Sequence, residues 1–472
     1  MVVMKFGGTS VADRGAIVRL MAIVRAQRQA DAQQEGGDSR GPIVVVSALS
    51  GVTDRLLGVA AQAGAGDAEG ARSSLRELHQ RHQTVAEVIT DATSRTQTLA
   101  ELQVQFDELD RIVAALAVLR EVSPRWMDTI SATGEVLSSR IVAAALNAHT
   151  LPAGWVDARQ ALVTDGQHQS AVPRFPETTE ALMRHVDPLL AAGRIPVVGG
   201  FVGATSDGVT TTLGRGGSDF SAAIIGACLG VGEIQIWTDV DGMLTSDPRI
   251  VKQPQVVPHL SFAEASELAY FGAKVLHPAT IQPAVARNIP VRILNSTRAN
   301  ARGTLITAER PASDRPLTAV ASKKGVTVVD ITSTRMLMAH GFLSRLFSVF
   351  DRFKTPVDVV TTSEVSVSVT VDDTRHLPDI VRALREFADV ATEDEMAIVC
   401  AVGDGLQRDP SLASRVLSSV GDVPVRLVSQ AASRRNITFV IRESDVATAL
   451  TRMHEAFFAP YPVSASVAGT RG

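Results

Sequence analysis

The chain has 472 residues, 45% of them hydrophobic and 20% charged, an ordinary globular composition with length for two or three domains. A net charge of −4 gives no electrostatic case for nucleic acid or an anionic membrane, and no apolar run approaches the roughly 20 residues that span a bilayer. The two cysteines, Cys228 and Cys400, lie far apart and support neither a disulfide framework nor a Cys-rich zinc site.

Residues 2–6 read as a strand running into the turn Gly7-Gly8-Thr9-Ser10, without a signal-peptide pattern, so the expected compartment is the cytoplasm. Helical spacing follows over 11–30, and Ile43-Val44-Val45-Val46 has the continuous apolar character of a buried parallel strand. That strand ends in a polar, small-residue loop, Ser47 to Asp54. Residues 71–123 hold no Gly or Pro and carry apolar residues at steps of three and four, which predicts a long helical hairpin. Thr133-Gly134-Glu135 is expected to open another helix, with Glu135 in its first turn.

Ile195 to Val198 and Glu233 to Trp237 are further strands. Between them lies Thr210-Thr211-Thr212-Leu213-Gly214-Arg215-Gly216-Gly217-Ser218-Asp219, three hydroxyls and then three glycines around one arginine. Glycine permits turns and close approach to a ligand. Ser218 or Asp219 is expected to cap the Ala-rich helix that follows, and backbone N–H groups at such a helix start form an anion site. Polar loops thus follow at least four strands, and ligands bind beyond the carboxyl ends of strands in open α/β sheets. After a boundary at 299–316, rich in Ala, Arg, Pro and Ser, a β-α-β-β unit with a closing helix occurs twice, about 70 residues apart. Its strands are expected at 326–331, 356–360 and 365–371, then at 397–402, 423–428 and 436–441.

Lys5-Phe6-Gly7-Gly8-Thr9-Ser10, Thr210 to Asp219, Trp237-Thr238-Asp239-Val240-Asp241-Gly242 and Phe271-Gly272-Ala273-Lys274-Val275-Leu276-His277-Pro278 together, in this order, resemble the aspartate kinases over nearly the whole chain. The resemblance implies an α/β fold: an amino-acid-kinase three-layer sandwich with a mostly parallel sheet over 1–300. Two ferredoxin-like βαββαβ ACT units would follow, at 315–392 and 393–465, the second nested in the first or sharing strands with it. The chain stops at Gly472, after the second repeat, so no fused third domain is expected. Glutamate and acetylglutamate kinases typically lack paired ACT units, a non-catalytic amino-acid sensor would not need Lys5, Arg215, Asp219 and Lys274 together, and Gly7-Gly8-Thr9-Ser10 is not the G-x-G-x-x-G of a dinucleotide-binding dehydrogenase.

The implied reaction carries the ATP γ-phosphoryl to the side-chain carboxylate of L-aspartate, giving 4-phospho-L-aspartate, the first step toward lysine, threonine and methionine. The acceptor is already ionised at neutral pH, so catalysis needs positioning, positive charge and N–H donors more than a strong base. The resemblance places Lys5 and Lys274 at the nucleotide phosphates with Gly7 and Gly8, and Thr238, Asp239 and Arg249 in the nucleotide loop. Leu244 stands between Asp239 and Arg249 where the family often has an aromatic residue. Arg215 is implied for the α-carboxylate of aspartate and Glu135 for its α-ammonium, with Ser47, Thr53 and Ser218 near the substrate. Asp219 would orient the lysines or act through Mg²⁺, an ion carried largely by the nucleotide with no protein cage of its own. The later segments resemble the lysine-inhibited branch, with Met336, Gly341, Phe342, Leu343, Val357, Asp358, Thr362, Ser363 and Glu364 around an L-lysine effector. Paired ACT units imply a homodimer or homotetramer.

Overall fold

The structure is a computed structural model that describes residues 1–33, 40–271, 277–311, 315–333, 340–430 and 435–458. It divides into two compact units. The first takes 1–243, 258–262 and 275–310; the second takes 244–257, 263–274 and the chain from 311 onward.

The first unit contains β1 (Val2–Phe6), β2 (Ile43–Val46), β3 (Ala153–Val156), β4 (Ile195–Gly199), β5 (Val202–Ala204), β6 (Thr210–Thr212), β7 (Glu233–Thr238), β8 (His259–Ser261), β9 (Val291–Asn295) and β10 (Thr304–Thr307). Eight of these form one sheet in the order β3-β4-β2-β1-β7-β9-β10-β8, while β5 and β6 make a separate hairpin. Within the eight-stranded sheet, among the described residues, only the β9–β10 pair is antiparallel. The all-buried Ile-Val-Val-Val of β2 suits the centre of a sheet covered on both faces. The predicted hairpin is present as the helices Ala68–Ala86 and Ala92–Leu119.

Register decides where the loops go. Phe6 pairs with both Val46 and Trp237, and Val46 pairs with Gly199, so β4, β2, β1 and β7 end level with one another. The polar loops after four adjacent strands are therefore brought to one edge.

One element departs from the sequence reading. The helix carrying Glu135 starts at Pro124 and runs to Ala148, so Glu135 lies mid-helix and buried, not in a first turn. Proline is favoured at a helix start, and it sets this boundary nine residues before the expected one. Gly134 does not break the helix. A Cβ there would come within 2.8 Å of the Ala48 Cβ, so the glycine permits close packing against the loop after β2.

The second unit has one six-stranded antiparallel sheet. Its strands are β11 (Ala319–Thr332), β12 (Val360–Thr362), β13 (Ser366–Val371), β14 (Asp389–Val402), β15 (Leu427–Ser429) and β16 (Asn436–Arg442), in the order β12-β13-β11-β14-β16-β15. Each repeat supplies three strands, and the long β11 and β14 join them along Ala319↔Val402 to Thr332↔Asp389. The helices of each repeat bury an apolar stripe on their own half. Leu346, Phe350, Ile380 and Leu384 pack on Ile331 and Val369, and Leu412, Val416, Leu450 and Met453 pack on Val399 and Phe439. The expected strand at 356–360 is regular only from Val360. Pro356 has no N–H to give, and the Val359 N–H donates to the Thr370 hydroxyl (2.9 Å) instead of a ladder carbonyl. The expected 423–428 strand is likewise confined to Leu427–Ser429, beyond Pro424.

Candidate active site

The level strand ends open onto a cleft of about 1020 Å³ within the first unit, lined by Lys5, Gly7, Gly8, Ser47, Thr53, Glu135, Arg215, Ser218, Asp219, Thr238 and Asp239 among others. Gly7 donates its N–H to the Trp237 carbonyl (2.9 Å), joining the loops after β1 and β7. A Cβ on Gly8 would lie 3.2 Å from the Ala48 carbonyl oxygen, so that position keeps the loops after β1 and β2 in close contact. The Ser47 N–H donates to the Phe6 carbonyl (3.0 Å), and its own carbonyl accepts from Ser138 (2.8 Å).

Lys5, on β1 and only 8% exposed, places Nζ 2.6 Å from Asp219 Oδ1. This corrects the expected helix cap. The Gly217–Leu229 helix has Gly216 (φ +71°) as its N-cap with no side-chain cap, and Asp219 sits in the first turn facing Lys5. Arg215, two residues before the helix, is exposed and carries no hydrogen bond or ion pair among the described residues. Glu135 is 3% exposed and its Oε2 has no hydrogen-bond partner. Burial pushes its carboxyl up to about 8, against the opposing pull of the Ala48 backbone N–H and Lys5. The cleft thus holds one lysine–aspartate pair, one free guanidinium and one buried carboxyl with an unused oxygen. It can receive a zwitterion together with a polyanion.

Thr238 ends β7 and donates to Asp239 (3.1 Å). Arg249 belongs to the second unit, where it bonds Asp247 through its backbone N–H (2.8 Å) and guanidinium (2.6 Å). Lys274 and Met336 lie outside the described residues. Among the cleft residues that escaped the sequence reading as site residues are Ser131, Phe201, Asp128, Met127 and Gln169. Phe201 is held at φ +66°, a left-handed conformation rare for an aromatic residue, with its N–H on the Ser221 hydroxyl (2.9 Å). Its place directly after Gly199-Gly200 was the available signal.

In the second unit, Gly341 (φ +82°) is the N-cap of the Phe342–Arg352 helix. The Phe342 ring meets Phe387 edge-on, Leu343 is exposed, and Val357 packs on the core of the first repeat. Thr362 ends β12, and Ser363 and Ser366 share a hydroxyl–hydroxyl bond (2.7 Å) across the turn that exposes Glu364. Asp358, expected to offer a carboxylate to a cationic ligand, already holds cationic and hydroxyl partners of this chain. Its side chain is 3% exposed and accepts from Lys323 Nζ (2.9 Å to each oxygen) and the Tyr270 hydroxyl (2.7 Å).

Comparison with known proteins bears on the fold and the family. The amino acid kinase family model matches residues 1–295, and an ACT domain model matches 399–457. Aspartokinase 1, chloroplastic, of Arabidopsis thaliana is 36% identical over 97% of this chain and 80% of its own length. Lysine-sensitive aspartokinase 3 of Escherichia coli (strain K12) is 32% identical over 97% and 99%. The crystal structure of E. coli aspartokinase III in complex with aspartate and ADP (R-state) superposes with a TM-score of 0.82 at 31% identity, covering 97% of this chain and all of that one. The same enzyme in complex with lysine and aspartate (T-state) gives 0.79 at 30% identity, covering 97% and 99%. With an amino acid kinase fold on a mostly parallel sheet and an ACT-containing regulatory region after it, the chain belongs to the aspartokinases, ATP-dependent kinases.

Proposed function

We propose that the cleft transfers the γ-phosphoryl of ATP to the β-carboxylate of L-aspartate, giving 4-phospho-L-aspartate for lysine, threonine and methionine synthesis in the cytoplasm. The observation that carries this is the set of unmet charges in one cleft: Arg215 without a partner and the unused oxygen of buried Glu135, beside the Lys5–Asp219 pair. Arg215 takes the α-carboxylate as a two-pronged hydrogen-bonded pair, and Glu135 takes the α-ammonium. The side-chain carboxylate is then directed at the phosphoryl group, with Ser47, Thr53 and Ser218 beside it.

Lys5 neutralises charge on the transferring group, and Asp219 holds Lys5 in place. Gly7, Gly8, Thr238 and Asp239 line the cleft and take the nucleotide phosphates; the family resemblance alone assigns Arg249 and Lys274 to the nucleotide. Mg²⁺ fits this donor set because it is held mainly by phosphates and water with one or two carboxylates, and Asp239 and Asp219 line the cleft. The ion supplies charge neutralisation on the phosphates. A coupled assay across amino acids tests the reading. Aspartate is expected to give the fastest turnover, and faster turnover with glutamate or acetylglutamate overturns it.

L-lysine is proposed as a feedback inhibitor bound at the ACT region, between Met336, Gly341, Phe342, Leu343, Val357, Asp358 and the Thr362-Ser363-Glu364 turn. The 32% identity to a relative named lysine-sensitive supports this, with the exposed Glu364 available to an ammonium. Assembly through this region as a homodimer or homotetramer belongs to the same proposal.

A further inference from the structure

We propose that Asp128 is a positioning residue that holds the Arg215 loop in register with Glu135, and so sets the affinity for the amino-acid substrate. Asp128 lies seven residues before Glu135 on the Pro124–Ala148 helix, two turns away on the same face, and both line the cleft. Its carboxylate is 1% exposed yet meets three donors. The Thr212 hydroxyl donates at 2.6 Å, the Gln169 backbone N–H at 3.1 Å to both oxygens, and His168 Nδ1–H at 2.6 Å. A carboxylate so deeply buried is tolerable only with such charge-assisted bonds.

Two of these donors, Thr212 and Gln169, are the supports of Arg215. Thr212 ends β6, three residues before it. Gln169 is held at φ +68°, and a Cβ on Gly214 (φ +78°) would come within 2.9 Å of the Gln169 carbonyl oxygen. The residue before Arg215 therefore rests directly on the turn that Asp128 grips. The Ala171 N–H, bonded to the Thr212 carbonyl (2.9 Å), ties the turn to the strand. Among the described residues Arg215 has no side-chain partner of its own, so its placement depends on this backbone anchorage. Loss of the Asp128 bonds frees the guanidinium to drift from the helix that carries Glu135, and the substrate's two α-groups are no longer met together.

The inference rests on the assignment of Arg215 and Glu135 to the substrate. Its test is steady-state kinetics of full-length D128N and T212V, with aspartate and ATP varied separately and thermal melting measured alongside. D128N is expected to raise KM for aspartate about tenfold, the scale of a lost charge-assisted hydrogen bond, with KM for ATP within about twofold of wild type. T212V, which removes one donor and leaves the carboxylate, should move KM for aspartate a few-fold in the same direction. KM values that rise together, or a KM for aspartate unchanged in variants that melt like wild type, overturn the inference. If D128N does not fold, T212V decides. If the wild type prefers another amino acid, the substrate reading fails, and the same split measured with that acid still decides the role of Asp128.

Discussion

The two units each contain a lysine largely removed from solvent and held by aspartate, and the two pairs are finished differently. Lys5 meets one carboxylate, Asp219, at the edge of an open cleft where Arg215 is unpaired and Glu135 has an oxygen unused. Lys323 meets two, Asp358 and Asp372 (2.8 Å), lies 5.3 Å from the centre of the Tyr270 ring, and shares Asp358 with the Tyr270 hydroxyl. Burial works against the charge on Lys323, but the hydrogen bonds to Asp358 and Asp372 outweigh it and raise its pKa. The first cluster is electrostatically incomplete and the second is closed. Buried polar groups are normally satisfied, so the unused oxygen of buried Glu135, in one cleft with the exposed guanidinium of Arg215, marks a site whose missing partners come from a ligand.

The strongest way to break this contrast is to remove Lys5. K5A takes positive charge from the developing transition state, and kcat should fall by ~10²–10³, the scale for one such donor. R215A removes a ground-state contact instead and should act mainly on KM for aspartate. Wild-type kinetics in both would show that the open cluster is not the site of chemistry.

Glu135 gives a graded test. Its folded pKa, raised to about 8 from 4.5, means the folded protein holds a proton that the unfolded chain has released. The stabilisation from that group is present below pH 4.5 and is lost as pH rises through about 8. Substrate binding has the opposite sign, because an α-ammonium needs the ionised carboxylate. KM for aspartate should fall by up to about tenfold per pH unit from pH 6 toward 8, and E135Q should flatten that slope while weakening binding throughout. A pH-independent KM in the wild type would remove Glu135 from the ammonium site.

The parts of this cluster that the sequence shows and those it hides differ in range. Gly7, Gly8 and Gly214–Gly217 are legible because close approach and positive φ leave glycine in the chain itself. The positions of several strands along the chain are legible from apolar runs that each end in a polar loop. Asp128 is not, because an aspartate near a helix start reads as a dipole partner, and its three donors come from residues 40 to 84 positions away. Glu135 was recognised as a residue, but its helix was begun too late, since Gly134 looks like a boundary until Ala48 is seen against it. The partners of Asp358 are hidden as well, because nothing in its own neighbourhood announces Lys323 or Tyr270.

The smallest effect tests the closed cluster. If the lysine effector places an ammonium on Asp358, it must take the place of an ammonium already there. Lys323 retains Asp372 when it gives up Asp358, so the competition costs only part of its pairing. K323M should therefore lower the lysine concentration for half-inhibition by a few-fold. E364A and T362M act on the exposed turn. They should raise that concentration, E364A by about two- to fivefold, as expected for an exposed ion pair. The opposite signs make the test informative, because a general loosening of the sheet would shift all three variants the same way. Lysine titrations of activity, with threonine as the control effector, supply the measurement. A K323M shift in the same direction as E364A would make Lys323 a support of the effector site and not a competitor for it. An unchanged response in all three would place the lysine site elsewhere.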